Sequence, residues 1–313
     1  MHLLIPHASA LSPACVHTLS HLALPHLTAL LGRLDAGPAV GGDEYSLSTP
    51  HERALAEALG LQGEDGALPW AARAAMADGI PVGDGAWGLL TPAHWSVGRE
   101  HVTLADPAAL ALDAAESRAL FDAVRDLFES DGWTLAWGAP LRWYGAHDSL
   151  DGLPCASVDR VIGRNVDLWL QTDTQRFPHA RQVRRLQNEL QMLLYTHALT
   201  DEREARGLLP VNSVWLSGCG RHQPDRGPAP MVDERLRTPL LAEDWAAWAE
   251  AWQALDAGPL AELLARAGRG EPVTLTLCGE RSHQAFTARP RSLWQRLQRR
   301  WQSADTAATL EAL

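Results

Sequence analysis

Hydrophobic and polar positions along this chain repeat with helical spacing in some segments and with strand-like spacing in others. Three amphipathic helices are each followed by a short apolar strand, and these pairs lie at about 113–129 and 133–138, at 183–194 and 211–216, and at 241–267 and 272–278. This order is typical of parallel sheets with both faces covered. The pattern predicts an α/β fold, with a mainly parallel central sheet and helices on both faces.

The N-terminal part of the chain carries further start and stop signals. Residues 1–5 predict a strand, and residues 13–34 predict a helix that Pro25 breaks or kinks. A glycine-rich loop is expected at 37–42. Residues 49–52, Thr-Pro-His-Glu, form a capping box with proline at the first helical position, so a further helix should begin there.

Length and composition set the domain organisation. A chain of 313 residues with 46% hydrophobic content can bury a sizeable core, and we expect one domain spanning 1–313. Residues 63–95 are rich in Gly, Pro and Trp and predict loops or short strands around a helix at 69–78. An irregular cap or sub-lobe is therefore expected at about 61–112.

Charge and cysteine content exclude several functions. All 27 basic residues are arginine, so lysine Schiff-base and Walker-type lysine chemistry are excluded. A net charge of -11 makes general nucleic-acid or anionic-membrane binding unfavourable. The four cysteines form no CxxC pair, which favours reduced thiols in the cytoplasm. The N-terminus predicts a strand rather than a signal peptide, and no transmembrane span is predicted.

Tryptophan and arginine mark two helix faces. Trp245, Trp248, Trp252 and Leu255 form a stripe that is expected to pack on the sheet, or alternatively to face a protein partner. A basic amphipathic helix is expected near the C-terminus, where Arg289, Arg291, Arg296, Arg299 and Arg300 surround Leu293, Trp294, Leu297 and Trp301. That helix could dock an acidic partner, a membrane surface or nucleic acid, or could simply present a solvated face.

Histidines offer candidate ligands at two strand ends. His7 and His147 each follow a predicted strand, which is the usual side for ligand sites in α/β proteins, although a loop turn also explains His147. His17 and His21 lie at i, i+4 and could hold zinc on one helix face, but no acidic third ligand is near, so surface or packed histidines are favoured.

A second candidate group combines glycines with cationic and amide side chains. Gly218 and Gly220 follow a predicted strand and permit positive φ or close approach of a bound group. Anion and amide recognition is expected from Arg160, Arg164, Asn165, Asn212 and Arg221. Capping by the asparagines and surface ion pairing by the arginines is the competing interpretation.

One segment resembles the archaeal-type, cofactor-independent phosphoglycerate mutases of the alkaline-phosphatase superfamily. The matching residues are His197, Arg203, Gly207, Pro210, Asn212, Gly218 and Gly220. The segments LALPHLTALLGRL and DGIPVGDGAWGLLTPAHW are similar to other parts of that family. The chain as a whole most resembles the RpfE-type regulatory proteins of proteobacteria. The resemblance implies an alkaline-phosphatase-like core.

The same resemblance implies two divalent metals held by Asp and His, one Asp following the first strand. In this chain no Asp or Glu precedes Asp35, and no Asp lies between Asp256 and Asp305. Arg281 stands near the expected late metal position, where it would repel a cation and attract a phosphate or carboxylate. Ser46, Ser48 and Thr49 are candidates for the family's nucleophile, with no matching base evident in the sequence.

Three functional hypotheses follow. We favour a noncatalytic regulatory or binding protein that has lost the metal site and takes a small anionic metabolite or a protein partner, with no cofactor. The second hypothesis is an active metal-dependent phosphoglycerate mutase or phosphatase with relocated ligands. The third is a nucleic-acid accessory protein that acts through the C-terminal arginines.

Overall fold

The computed structural model describes residues 1–170, 176–177, 180–288 and 305–313, which form two compact units. Unit 1 comprises Met1–Glu44, Thr49–Gly60 and Asp225–Leu313, and unit 2 comprises Tyr45–Ser48 and Leu61–Pro224. The sub-lobe expected at about 61–112 falls within unit 2, which continues to Pro224. None of the described helices is long and apolar enough to cross a membrane.

Strands and helices are numbered in chain order. The strands are β1 His2–Ile5, β2 Asp35–Gly41, β3 Ala86–Ala93, β4 Trp95–Val97, β5 Val102–Leu104, β6 Thr134–Ala139, β7 Arg142–Ala146, β8 Ser213–Arg221, β9 Met231–Val232, β10 Thr274–Cys278 and β11 Ser282–Thr287. The helices among the described residues are α1 Pro13–His21, α2 Pro25–Arg33, α3 Pro50–Leu59, α4 Trp70–Ala77, α5 Ala114–Ser130, α6 Val158–Val161, α7 Ala180–Tyr195, α8 Ala198–Ala205, α9 Arg237–Leu241, α10 Trp245–Leu255, α11 Ala261–Gly268 and α12 Thr306–Glu311.

Unit 1 contains a five-stranded mixed sheet in the order β2-β11-β10-β1-β9. β1 is parallel to β10 and β9, whereas β11 is antiparallel to β10 and β2. The predicted α/β class is confirmed, but the sheet is mixed rather than mainly parallel. Only three residues separate β10 from β11, and so short a connection joins antiparallel strands.

The glycine-rich loop expected at 37–42 is wrong, because these residues belong largely to β2. β2 is the edge strand of the unit 1 sheet and pairs with β11, where Val40 lies opposite His283. Pro38 is compatible with an edge strand because the side without a partner needs no backbone donor. Pairing with β11 thus overrides the weak strand propensity of the glycines and proline.

Helices cover both faces of the unit 1 sheet, as predicted. Leu3 and Ile5 of β1 join one buried cluster with apolar residues of α1, α2, α10 and α11, whereas Leu4 packs with residues of α3 on the opposite face. Trp248 and Trp252 are fully buried in the first cluster, so the tryptophan stripe packs in the core. The break expected at Pro25 is present, because α1 and α2 are separate helices.

Unit 2 is built on a four-stranded antiparallel sheet in the order β6-β7-β3-β8. Trp143 of β7 lies in a buried cluster with residues of α5 and α7, and its indole Nε1 donates to Ser117 Oγ at 2.9 Å. Tyr144, the next residue, packs with α4 on the opposite face. Successive side chains of β7 thus lie on opposite faces of the sheet, and helices cover both of these faces.

Asp78, immediately after α4, joins that helix to the unit 2 sheet. Its carboxylate accepts from Arg142 Nε at 3.0 Å and Nη2 at 2.9 Å, and from the Tyr144 hydroxyl at 2.7 Å. The Arg142 guanidinium lowers the pKa of Asp78 below its ordinary value of 3.8, while burial and the Asp78 carboxylate raise the pKa of Tyr144. The ionised carboxylate is therefore the form that the folded unit favours.

We expect Asp78→Asn to remove a pH-dependent part of the stability, about 1 kcal/mol, because the ion pair is partly exposed. A carboxyl group whose folded-state pKa is depressed stabilises fully above its unfolded pKa and loses this effect as the pH falls through its folded pKa. The stability difference between wild type and variant should thus be constant above about pH 5 and shrink below pH 3.8. Urea unfolding across this range checks it, with Asp122→Asn on exposed α5 surface as the control. A difference that grows in acid would contradict the assignment.

Candidate functional site

The carboxyl ends of the parallel strands β1 and β10 lie at one edge of the unit 1 sheet, and His7 stands just beyond β1. His7 has a φ of 57°, a left-handed conformation that is uncommon outside glycine. Its neighbours fix this backbone, because Ala8 N–H donates to Cys278 O at 2.8 Å and Trp248 Nε1 donates to His7 O at 3.2 Å. The edge therefore holds the His7 imidazole on a rigid turn.

His51 lies beside His7 and comes from the first turn of α3. The two ring centroids are 5.1 Å apart, and ring nitrogens of the pair lie within 4.8 Å of each other. The predicted capping box is confirmed, with the Thr49 side chain accepting from Glu52 N–H and the Glu52 side chain accepting from Thr49 N–H. Thr49 Oγ1 also lies 3.2 Å from His51 Nε2. The result is a histidine pair, defined as His7 and His51, at a helix N-terminus.

This histidine pair supports two kinds of chemistry. Protonated imidazoles donate N–H groups to an anion, which the positive end of the α3 dipole also favours. Neutral imidazoles instead donate lone pairs to a divalent metal, and the pair could supply two of the ligands that one ion needs. Carboxylates would have to complete a two-metal site of the kind that the resemblance implies, and the sequence has none directly after β1.

The sequence pattern predicts His7 as a ligand but not His51, which it places only in the capping box. Its position in the first helical turn, where free N–H groups and the dipole favour anions, is a signal that the sequence does carry. That His51 faces His7 depends on packing of α3 against the β1 side of the sheet, which the local pattern does not specify.

Arg281 lies in the turn between β10 and β11 and makes contacts within unit 1. Its guanidinium pairs with Glu44 at 3.5 Å, its backbone N–H donates to Leu313 O at 3.0 Å, and its carbonyl accepts from Arg53 Nη2 at 3.3 Å. The side chain is about half exposed. These contacts favour a role in ordering the turn, and its proposed anion binding remains a prediction.

His147 and Arg221 in unit 2 are both engaged by their surroundings. His147 Nδ1 bonds to Ser149 Oγ at 2.7 Å and accepts from Ser149 N–H at 3.1 Å, and its ring stacks on Trp133. Arg221 pairs with Asp151 at 2.8 Å and Asp148 at 3.5 Å, and it also donates to a backbone carbonyl. The contacts favour loop anchoring for His147 and ion pairing for Arg221.

Arg160, Arg164 and Asn165 follow one another around α6 but have separate surroundings. Arg160 is buried and donates to Ser48 O at 3.4 Å. The Arg164 guanidinium lies 5.8 Å from the centre of the Trp169 ring. Asn165 caps a short 3-10 helix by accepting from the N–H of residue 167 at 3.1 Å. Asn165 thus has the capping role that was the competing interpretation.

Strand β8 contains Gly218 and Gly220 and directly follows Asn212. The Asn212 side chain bonds to both backbone polar groups of Trp95, because its Oδ1 accepts from Trp95 N–H at 2.8 Å and its Nδ2 donates to Trp95 O at 3.0 Å. Gly218 has a φ of 63°, and a Cβ built there would lie 3.0 Å from the Ala71 nitrogen of α4. Gly220 faces Pro69 in the same way. The element that these glycines approach is α4.

Arg203, one of the residues that carry the family resemblance, is fully buried in unit 2. Its guanidinium donates to the Glu116 carboxylate and to the carbonyl oxygens of Leu110 and Leu209. Glu116 also pairs with the half-exposed Arg206. We call Arg203, Glu116 and Arg206 the ion triad. Because every nitrogen of Arg203 has a protein acceptor, its role is to fix the loop before β8.

The four cysteines form no disulfide in this structure. Although Cys155 and Cys219 are distant in sequence, unit 2 brings their sulfur atoms to 3.7 Å. The contact with Cys155 and complete burial raise the pKa of Cys219, and burial raises that of Cys278. Cys155 is the most exposed of the four, while the other three are buried.

Comparisons with known proteins give distant similarities of overall fold. No protein-family model and no curated protein sequence matches the chain. A cofactor-independent phosphoglycerate mutase from Thermoplasma acidophilum DSM 1728 is 14% identical, over 91% of this chain and 89% of that one, with a TM-score of 0.40. The PH0037 protein from Pyrococcus horikoshii is 10% identical, over 92% and 87%, with a TM-score of 0.46. Similarity at this level does not transfer an activity.

Proposed function

We propose that this chain is a noncatalytic binding protein for a small anionic metabolite, with a distant phosphoglycerate-mutase-like fold that has lost its metal chemistry. The observation that carries the proposal is the histidine pair at the N-terminus of α3, beside the carboxyl end of β1. Its N–H groups and the helix dipole all favour negative charge. The sequence also lacks the acidic residues that the resembled family uses to hold two metals after these strands.

The test is calorimetric titration with inorganic phosphate and with 3-phosphoglycerate, using metal-free protein. His7→Gln and His51→Gln should each weaken binding about tenfold, the usual scale for losing one charge-assisted hydrogen bond. His17→Gln and His21→Gln are matched controls, because these two rings also lie close together, at 4.6 Å, but on an exposed face of α1. Equal affinity in all four variants would remove the histidine pair from the proposal.

An active metal-dependent mutase or phosphatase is the second candidate. The contact between Thr49 Oγ1 and His51 Nε2 favours it, because a hydroxyl beside an imidazole can be activated as a nucleophile. Elemental analysis and mutase assays with manganese, cobalt, magnesium or zinc test this candidate. Thr49→Asn keeps the helix cap and removes the hydroxyl. Metal-dependent turnover that Thr49→Asn abolishes would establish catalysis and reject the noncatalytic proposal.

A regulatory role of the RpfE type, a protein partner and a cytoplasmic location also belong to the proposal. They rest on the sequence resemblance and on the cysteine usage. Nucleic-acid binding would depend on the basic helix expected at 289–301, which lies outside the described residues. Binding that falls steeply with salt and is lost on removal of 289–301 would favour that third hypothesis.

A further inference from the structure

Unit 2 contains a pocket that none of the sequence-based site residues lines. The pocket encloses about 410 Å³ of space when the part that is open to solvent is counted. Its walls come from the loop before α6, the end of the 3-10 helix at 166–168, the first two turns of α7, and β8. The lining is mainly apolar and includes Leu153, Ala156, Leu170, Val183, Trp215 and Leu216.

Two of the polar side chains that line the pocket already donate hydrogen bonds to backbone carbonyl oxygens of the protein. Gln187 Nε2 donates to Val214 O at 3.0 Å, and Trp215 Nε1 donates to Ala156 O at 2.8 Å. These bonds fix α7 and the loop before α6 against β8. They make the pocket wall rigid, which limits the entropy that a ligand loses by ordering it.

Two other lining groups are donors whose hydrogen-bonding capacity is not used by the described part of the chain. Trp169 is 5% exposed, and its indole Nε1 is buried with no acceptor there. Arg184 is half-buried and makes no hydrogen bond or ion pair with the described residues, unlike its neighbour Arg185, which pairs with Asp131 and Glu189. A buried donor without an acceptor is costly, so Trp169 Nε1 favours a bound acceptor.

Among the described residues, the charged side chain that lines the pocket is that of Arg184, and no Asp or Glu lines it there. The Arg164 guanidinium lies over the Trp169 ring. The pocket also begins at Ala180, the first residue of the sixteen-residue helix α7, so the positive end of that helix dipole is close. Apolar walls with a cation and an N–H donor match a ligand that has an apolar body and one anionic oxygen group.

We propose that this pocket binds a small monocarboxylate with an apolar body, such as an arylacetate. The carboxylate accepts from Arg184 and from Trp169 Nε1, and the ring packs between Val183, Trp215 and Leu216. This site is separate from the histidine pair, since all its residues belong to unit 2.

The first measurement is titration of the full chain with phenylacetate, phenylacetamide, acetate and decanoate. Phenylacetate should bind at least tenfold more tightly than the neutral amide, because only the anion pairs with Arg184. Acetate should bind more weakly than phenylacetate because it lacks the apolar body. Tighter binding of decanoate than of phenylacetate would replace the arylacetate class by a long-chain fatty acid. Equal affinity for phenylacetate and its amide would overturn the proposal.

Matched variants test whether phenylacetate binds in this pocket. Arg184→Met should weaken phenylacetate binding about tenfold, whereas Arg181→Met, an exposed residue on the same helix, should not. Trp169→Phe removes the N–H group and keeps a ring, so it should weaken phenylacetate binding. Equal effects of Arg184→Met and Arg181→Met would overturn the assignment.

Cys155 provides an independent readout because it lines the pocket and is the most exposed cysteine. Phenylacetate should slow the alkylation of Cys155 by N-ethylmaleimide, as measured by mass spectrometry, in wild type and in His51→Gln. Unprotected Cys155 at saturating phenylacetate would overturn the location. Loss of phosphate binding with retained protection would instead contradict only the function proposed for the histidine pair.

Discussion

Arg203→Met is expected to lower the free energy of unfolding by about 3–5 kcal/mol, one of the two largest effects that we predict. The methionine fills much of the volume, but it leaves the carbonyl oxygens of Leu110 and Leu209 without their donors and removes one of the two cations that face Glu116. Buried acceptors that lose their partners pay most of their desolvation cost. Chemical unfolding followed by circular dichroism and tryptophan fluorescence measures the change.

Arg206→Met is the matched control for the ion triad. Arg206 pairs with the same Glu116 carboxylate, but its side chain is 51% exposed, whereas that of Arg203 is fully buried. Water can replace Arg206, so we expect a much smaller loss of stability. Similar losses in the two variants would show that the charge on Glu116, rather than the buried carbonyl contacts, dominates.

Gly218→Ala is expected to lower the free energy of unfolding by about 2–4 kcal/mol. The left-handed backbone at φ 63° costs an alanine about 1–2 kcal/mol, and overpacking adds a similar amount. The new Cβ would lie 3.0 Å from both Ala71 N and Trp70 Cβ, so α4 would have to move from β8. Thermal and urea unfolding measure the loss.

Gly207→Ala separates the cost of the left-handed backbone from the cost of overpacking. Gly207 also has a positive φ, 73°, but a Cβ there meets nothing within 4 Å. We therefore expect only the backbone cost of about 1–2 kcal/mol. An alanine at 218 that costs no more than one at 207 would argue against tight packing of α4 and would reopen ligand approach as the reason for glycine at 218.

Much of the local structure follows from short-range signals. The capping box at Thr49, the break at Pro25 and the tryptophan stripe each depend on residues within about three helical turns, so the sequence determines them directly. Sheet pairing does not depend on such neighbours. Residues 37–42 carry turn-forming glycines and a proline, yet they form most of an edge strand because β11 offers unpaired backbone groups.

The candidate site was predictable only in part, for the same reason. His7 was correctly placed after a strand, but its partner His51 comes from another element. Arg221 has the residue type expected of an anion ligand, and only the fold shows that Asp148 and Asp151 already pair with it. Arg184 is the opposite example. From the sequence, an arginine on a polar helix is expected to be solvated, and only the fold shows that it lines a pocket.

The order in which the two units occur along the chain affects how the protein can fold during synthesis. All of unit 2 has been made once Pro224 is added, whereas the parallel partners that β1 of unit 1 has in the described part of the chain are the later strands β9 and β10. The apolar strand His2–Ile5 therefore lacks these partners until residues 231–232 and then 274–278 have been synthesised. Pairing over such a sequence separation closes a long loop and is slow. Unit 2 can fold first, and exposed β1 is the segment on which early aggregation or chaperone binding would act.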